Sequence, residues 1–224
     1  MPRVRLAYRQ EGQARFVSHL DVMRAFERAA RRAGLPLAYS QGFNPRPKLV
    51  FAAPLPVGTS GCREYVDLEL EGDLSPDEVL DRLRRNLPGG LVPVAARSAA
   101  GPPLMSLVGR ACYLATGKLP RGLSPEHVEE GLARFLARGE IVTERKTAKG
   151  TRRKNIRPGI HRLRARGYGD RLELTMELEA GSARNVRPDE VLQALGVDLG
   201  LDAESFAVLR TAVLSREGFL LWDL

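Results

Sequence analysis

SPDEVLDRLRRNLP (75–88) and RPDEVLQALGVDLG (187–200) share the pentapeptide PDEVL at an offset of 112 residues, half of a 224-residue chain. Five identical residues can coincide by chance, so the flanks decide whether the chain is a repeat. REYVDLELEG (63–72) precedes the first copy and RLELTMELEAG (171–181) the second, and both alternate apolar with polar as half-buried strands do. Further upstream, SHLDVMRAFERAARRAG (18–34) corresponds to SPEHVEEGLARFLARG (124–139). Each opens on a Ser suited to cap a helix, carries an apolar stripe and closes on Gly.

Each half then reads strand, helix, strand, strand, helix, strand. The first half predicts these elements near 3–9, 18–33, 47–54, 63–71, 76–86 and 91–97. The second predicts them near 107–116, 124–138, 140–147 with a continuation at 160–166, 171–179, 188–195 and 206–215. The order βαββαβ is that of the ferredoxin-like unit, an antiparallel sheet with both helices on one face. The expected fold is therefore α+β, two ferredoxin-like halves related by internal duplication. Gly101, Pro102 and Pro103 form the expected linker between domain 1–100 and domain 104–224.

Apolar residues make up 43% of the chain, enough for a packed core. No apolar run approaches the roughly 20 residues of a membrane span, and MPRVRLAYRQ (1–10) lacks a signal-peptide core, so the expected location is the cytoplasm. Cys62 and Cys112 lack CxxC spacing and build neither a zinc site nor an iron–sulfur cluster by themselves. No phosphate loop of the GxxxxGK[ST] type and no GxSxG elbow is present.

Charge is concentrated. Of a net +8, residues 143–166 carry +9 and residues 1–48 carry +7, which leaves −8 for the remainder. Two cationic islands on an otherwise acidic chain favour a localised polyanion-binding surface. The second island contains TAKGTRRKNIRPG (147–159), which has no apolar period and reads as a long, mobile, cationic loop. Its candidate phosphate contacts are Arg145, Lys146, Lys149, Arg152, Arg153, Lys154, Arg157 and Arg162.

In the first island, Leu20, Met23, Phe26 and Ala30 fit a buried helical stripe. Arg24, Arg28 and Arg31 fall at spacings of three or four and make a cationic ridge. SQGFNPRPK (40–48) follows: its prolines bar a regular helix and Gly42 permits positive φ. Tyr39 and Phe43 offer rings, Gln41 and Asn44 amides, and Arg46 and Lys48 charge, the set that an unpaired nucleotide requires. The ridge with this loop and the second island are expected to form the two walls of a basic groove. His19 opens the helix, where a neutral imidazole is favoured; it is the one candidate general base, for metal-independent RNA cleavage.

FVSHLDVMRAFERAARRAGLPLAYSQGFNPRPKLVFAAPLPVG (16–58) resembles the start of the bacterial radical-SAM-linked protein family, a domain of unknown function. The motifs that carry the resemblance are SHLD, SQGFNPRP and PLPVG, with a looser match at NIRPGI (155–160) and RPDEVL (187–192). The resemblance implies a radical SAM protein as partner and an RNA or ribosome setting. The iron–sulfur cluster and S-adenosylmethionine would belong to that partner, with no cofactor or metal in this chain. The expected function is an RNA-binding accessory protein. The alternatives are an endoribonuclease that uses His19 and a docking module for the radical SAM partner without RNA.

Overall fold

The computed structural model describes residues 1–120, 122–147, 150–182 and 184–224, without the side chains of 145–147 and 152. The protein is α+β with a mostly antiparallel sheet and separates into two compact units. Unit one is Met1–Val108 together with Arg210–Leu224, and unit two is Gly109–Leu209.

Unit one runs β1 (Arg3–Gln10), α1 (His19–Arg32), β2 (Leu49–Phe51), β3 (Ser60–Glu69), α2 (Pro76–Arg84), β4 (Leu91–Ser98) and a single turn, α3 (Leu104–Leu107). Strand β1 is central and antiparallel to both β3 and β4, and β2 pairs antiparallel with β3. Val4, Leu6 and Tyr8 of β1 and Val66 and Leu68 of β3 enter one core with Val22, Phe26, Ala29 and Ala30 of α1 and Val79 and Leu83 of α2. Alternation along the strands therefore puts both helices on one face. The Oγ of Ser18 accepts from the Asp21 backbone N–H at 3.2 Å, the cap its position predicts. The stripe differs at one end: Leu20 is 63% exposed, and Val22, Ala25 and Phe26 take the buried positions. Leu20 stands two residues before the true stripe, on the opposite side of the first turn. Helix α2 starts with a complete capping box, Ser75 and Glu78, around Pro76.

Unit two runs β5 (Val108–Lys118), α4 (Pro125–Ala137), β6 (Val142–Thr147), β7 (Gly150–Asn155), β8 (Ile160–Tyr168), β9 (Arg171–Glu179), α5 (Pro188–Leu199) and the start of β10 (Ala207–Ser215). Its sheet order is β8-β9-β5, with β10 also hydrogen-bonded to β5. Leu172, Leu174, Met176 and Leu178 of β9 face α4 and α5, and the alternate residues face away. The helices approach closely because position 131 is Gly, where an added methyl would strike the Leu199 side chain. From Arg210 onward β10 belongs to unit one, where it pairs with β3.

Residues 150–155 of the basic segment form a strand, where a loop was expected. Residues 150–155 pair with β6 in a regular antiparallel register, Val142 opposite Asn155 through Thr147 opposite Gly150. Backbone hydrogen bonds hold this ribbon, so its Thr, Arg and Lys side chains need no apolar alternation. Its base is pinned by Asn155, whose Oδ1 accepts from the backbone N–H groups of Ile141 and Arg157, both at 3.0 Å.

Candidate nucleic-acid interface

Residues 38–48 form a small arch built by backbone pairing. Lys48 N–H donates to Ala38 O at 2.8 Å and Ser40 N–H to Arg46 O at 2.9 Å, with Tyr39 bridged to Pro47. The Ser40 hydroxyl accepts from Arg46 N–H at 3.0 Å, and Ala38 N–H ties the arch to Glu69 O at 2.9 Å. Gly42 takes φ +119°, a conformation closed to other residues, so the tip can turn. The turn throws Phe43 wholly into solvent, at 106% exposure, with Gln41, Asn44 and Arg46 exposed around it. Tyr39 is 41% exposed. Lys48 is held back by an ion pair to Glu69 at 2.8 Å.

Arg24, Arg28 and Arg31 are all exposed on α1, Arg24 beside Asp21 at 3.1 Å. Asp21 is itself held below the usual carboxylate range by hydrogen bonds from Ser18 and Arg24. The arch and this ridge belong to one unit, and the second island to the other.

In the second island the predicted residues divide. Lys154 is committed to Glu190 at 2.7 Å and to the Asn185 carbonyl. Arg157 donates to Leu136 O at 2.8 Å and Ile160 O at 3.3 Å. Both bonds tie the ribbon to its own unit. Arg153 is exposed and pairs with Glu144 at 3.3 Å; Arg162 is exposed. Lys149 and the side chains of Arg145, Lys146 and Arg152 lie outside the described residues.

His19 is half-buried at the first position of α1, edge-on to Phe51 at 5.3 Å between ring centres. Burial first, and then the charge of Arg210, hold its pKa below the ordinary imidazole value, so the ring is neutral at pH 7. Arg210 is buried at 2% exposure and forms a bidentate pair with Glu64, Nε to Oε1 at 2.9 Å and Nη2 to Oε2. Its remaining donors reach Ala53 O at 3.0 Å and Pro54 O at 3.3 Å. Tyr8 lies in the same field: burial and Glu64 push its phenol up against the opposing pull of Arg210. Burial also pushes the thiols of Cys62 and Cys112 above their ordinary values. Among the described residues no group of three or more His, Cys, Asp or Glu is placed to hold a metal ion.

One aromatic–cationic cluster has no counterpart in the sequence-based expectations. Trp222 stacks on Tyr65 at 6.1 Å and 24°, and the guanidiniums of Arg63 and Arg97 each lie 5.4 Å from its ring centre. The signal was faint but present: strict alternation in RVRLAYR and REYVDLE assigns Arg3, Arg5, Arg63 and Tyr65 to the faces away from the apolar stripe.

Comparison with solved structures finds a Cbf5-Nop10-Gar1 complex, at 12% identity and TM-score 0.49. The match covers 86% of this chain and 45% of that one, so the chain spans under half the length of this neighbour. An unknown protein from Galdieria sulphuraria matches at 11% identity and TM-score 0.28, over 94% of this chain and 99% of that one. No curated protein matches in sequence. No helix among the described residues is long and apolar enough to cross a membrane. The family described as "uncharacterized protein conserved in bacteria" (DUF2344) matches residues 3–188, most of the chain, and the protein belongs to that family.

Proposed function

We propose that the protein binds single-stranded RNA through the 38–48 arch and the adjoining helix α1. The observation that carries this reading is Phe43. A phenyl ring held fully in water by a hydrogen-bonded arch, with two amides and a guanidinium beside it, has no use in the core of its own unit. Such a ring stacks on unpaired bases, amides read base edges, and cations hold phosphates. Arg28 and Arg31 add exposed charge on α1, and the radical SAM protein remains the proposed partner that acts on the RNA presented. Any iron–sulfur cluster and S-adenosylmethionine would then sit in that partner. The test is RNA affinity of nuclease-treated protein across a salt series, beside Phe43→Ala/Arg46→Ala. Salt-dependent binding that the double variant weakens supports the reading; equal affinity of the two proteins sinks it.

We further propose that the chain is an internal duplication. The strands of unit one stand in the order β2-β3-β1-β4, and those around unit two in the order β8-β9-β5-β10, with PDEVL opening α2 and α5 in the two cases. We read this as one ferredoxin-like plan used twice, with the β6–β7 ribbon inserted in the second copy.

The neutral state of His19 favours a second reading, general-base cleavage of RNA without metal. It predicts cleavage in EDTA that is lost in His19→Ala, and intact RNA after long incubation removes it. The exposed Phe16, Leu20 and Val57 favour a third, docking of a protein partner without RNA. A pull-down of the radical SAM protein that Leu20→Glu abolishes, from a protein with no RNA affinity, would replace the first reading by this one.

A further inference from the structure

Val4, Leu6 and Tyr8 face the helices, so Arg3, Arg5 and Arg9 of β1 project from the other face of the unit-one sheet. The registers Arg5 opposite Asp67, Arg5 opposite Arg97 and Ala7 opposite Tyr65 bring those residues onto the same face. Arg63, two residues before Tyr65, joins them. Of the strand carboxylates on this face, Asp67 is used by Arg5 at 2.9 Å and Glu69, opposite Arg3, by Lys48 at 2.8 Å.

Residues 220–224 lie on this face. Arg5 donates to Leu221 O at 2.7 Å and to Leu224 O at 3.3 Å, and Arg97 also donates to Leu224 O. Trp222 covers Tyr65 between two guanidiniums, and Asp223 brings a carboxylate near Arg97 and Tyr65. The tail thus offers a ring, a negative charge and carbonyl oxygens. It leaves two buried groups unpaired: the Tyr65 hydroxyl, in a residue 1% exposed, and Nε of Arg97. Buried polar groups are seldom left so, because each costs about 1–3 kcal/mol.

We infer that this sheet face is a second single-stranded nucleic-acid site, and that the tail is its displaceable occupant. A base stacks on Tyr65 where Trp222 now lies. A phosphate accepts from the Tyr65 hydroxyl and Arg97 Nε, and Arg63 holds the phosphate that follows. A phosphodiester suits the face better than a peptide does: the peptide already there leaves two donors unpaired, and a tetrahedral anion offers acceptors in several directions. The inference rests on the nucleic-acid reading above but uses none of residues 39–48. Because the tail competes, the measured affinity is the intrinsic one reduced by the fraction of molecules with the tail released.

Trp222 is the chain's only tryptophan, so its emission reports on this face alone. The experiment titrates the full chain with a fluorescein-labelled oligouridylate, reading label anisotropy and Trp222 emission together, with circular dichroism to confirm that each variant is folded. The expected result is a rise in anisotropy and a red shift of Trp222 over the same concentrations. Trp222→Ala binds several-fold tighter, and Arg63→Glu loses the emission change. A rise in anisotropy with unchanged Trp222 emission overturns this inference and leaves the RNA reading standing. Weaker binding by a folded Trp222→Ala also overturns it, since the ring would then be part of the site and not its competitor. No rise in anisotropy removes both. An emission shift with an acidic peptide but not with the oligonucleotide assigns the face to a protein partner and overturns the inference.

Discussion

At the scale of the residue, the Glu64–Arg210 pair dominates. Both side chains are 2% exposed, and their partners lie 146 positions apart in the chain. Removing one member of such a pair strands a buried charge, which costs about 3–5 kcal/mol, whereas replacing both by apolar residues costs much less. Glu64→Gln should therefore lower the urea midpoint sharply, and Glu64→Leu/Arg210→Met should recover most of the loss. A double variant that loses the sum of the Glu64→Leu and Arg210→Met losses would show that the pair is not coupled. His19 gives a prediction with a sign. Its pKa is lowered from 6.5 in the folded protein, so the unfolded chain takes up the proton first. The stability it contributes is full above pH 6.5 and is lost as pH falls through the lower folded value. Urea midpoints should drop on acidification over that window, and His19→Gln should flatten the drop. Neither residue's role was legible in the sequence. His19 could be read as neutral from its place on α1, but the Phe51 ring and the Arg210 charge that fix its state come from distant segments.

At the scale of the element, local signals were sufficient wherever a cap met a stripe. Ser18 and Ser124 stand at the caps they were assigned, and β9 spans the predicted 171–179. Ser75→Ala, which removes half of the capping box on α2, should cost about 1 kcal/mol in chemical denaturation. A loss below the error of the measurement would mean that Pro76 and the acidic first turn hold the helix start alone. Strand β6 falls within the predicted 140–147, whereas β7 reads as a loop in the sequence because periodicity reports burial, not pairing. With Arg153 exposed, Thr143 only half-buried and no apolar alternation in the sequence, a hairpin of this kind looks like a loop. The arch at 38–48 was legible as a mixed aromatic and polar turn because Pro45 and Pro47 restrict the backbone and Gly42 permits positive φ. The partners of Lys154 and Arg157 were not legible for a related reason: a cation in the sequence does not show whether an acid or a carbonyl waits for it.

At the scale of the whole molecule, the order of the chain and the order of its units disagree. Unit one is interrupted by unit two and completed by Arg210–Leu224, which supplies the cation for Glu64 and the ring over Tyr65. A fragment of residues 1–108 should lack cooperative unfolding and near-UV circular dichroism, and should gain both when a peptide of residues 207–224 is added in trans. A cooperative fragment without the peptide would show that β10 is dispensable. The same interruption sets a timetable during synthesis. The N-terminal unit of a chain ordinarily folds first as it leaves the ribosome. Here its buried carboxylate has no cation until the roughly 100 residues of Gly109–Leu209 have been made, a delay of about 5–20 s at ordinary elongation rates. For that interval the sheet edge at β3 is open and Glu64 is uncompensated, so the nascent first half is the state in which a chaperone is most needed.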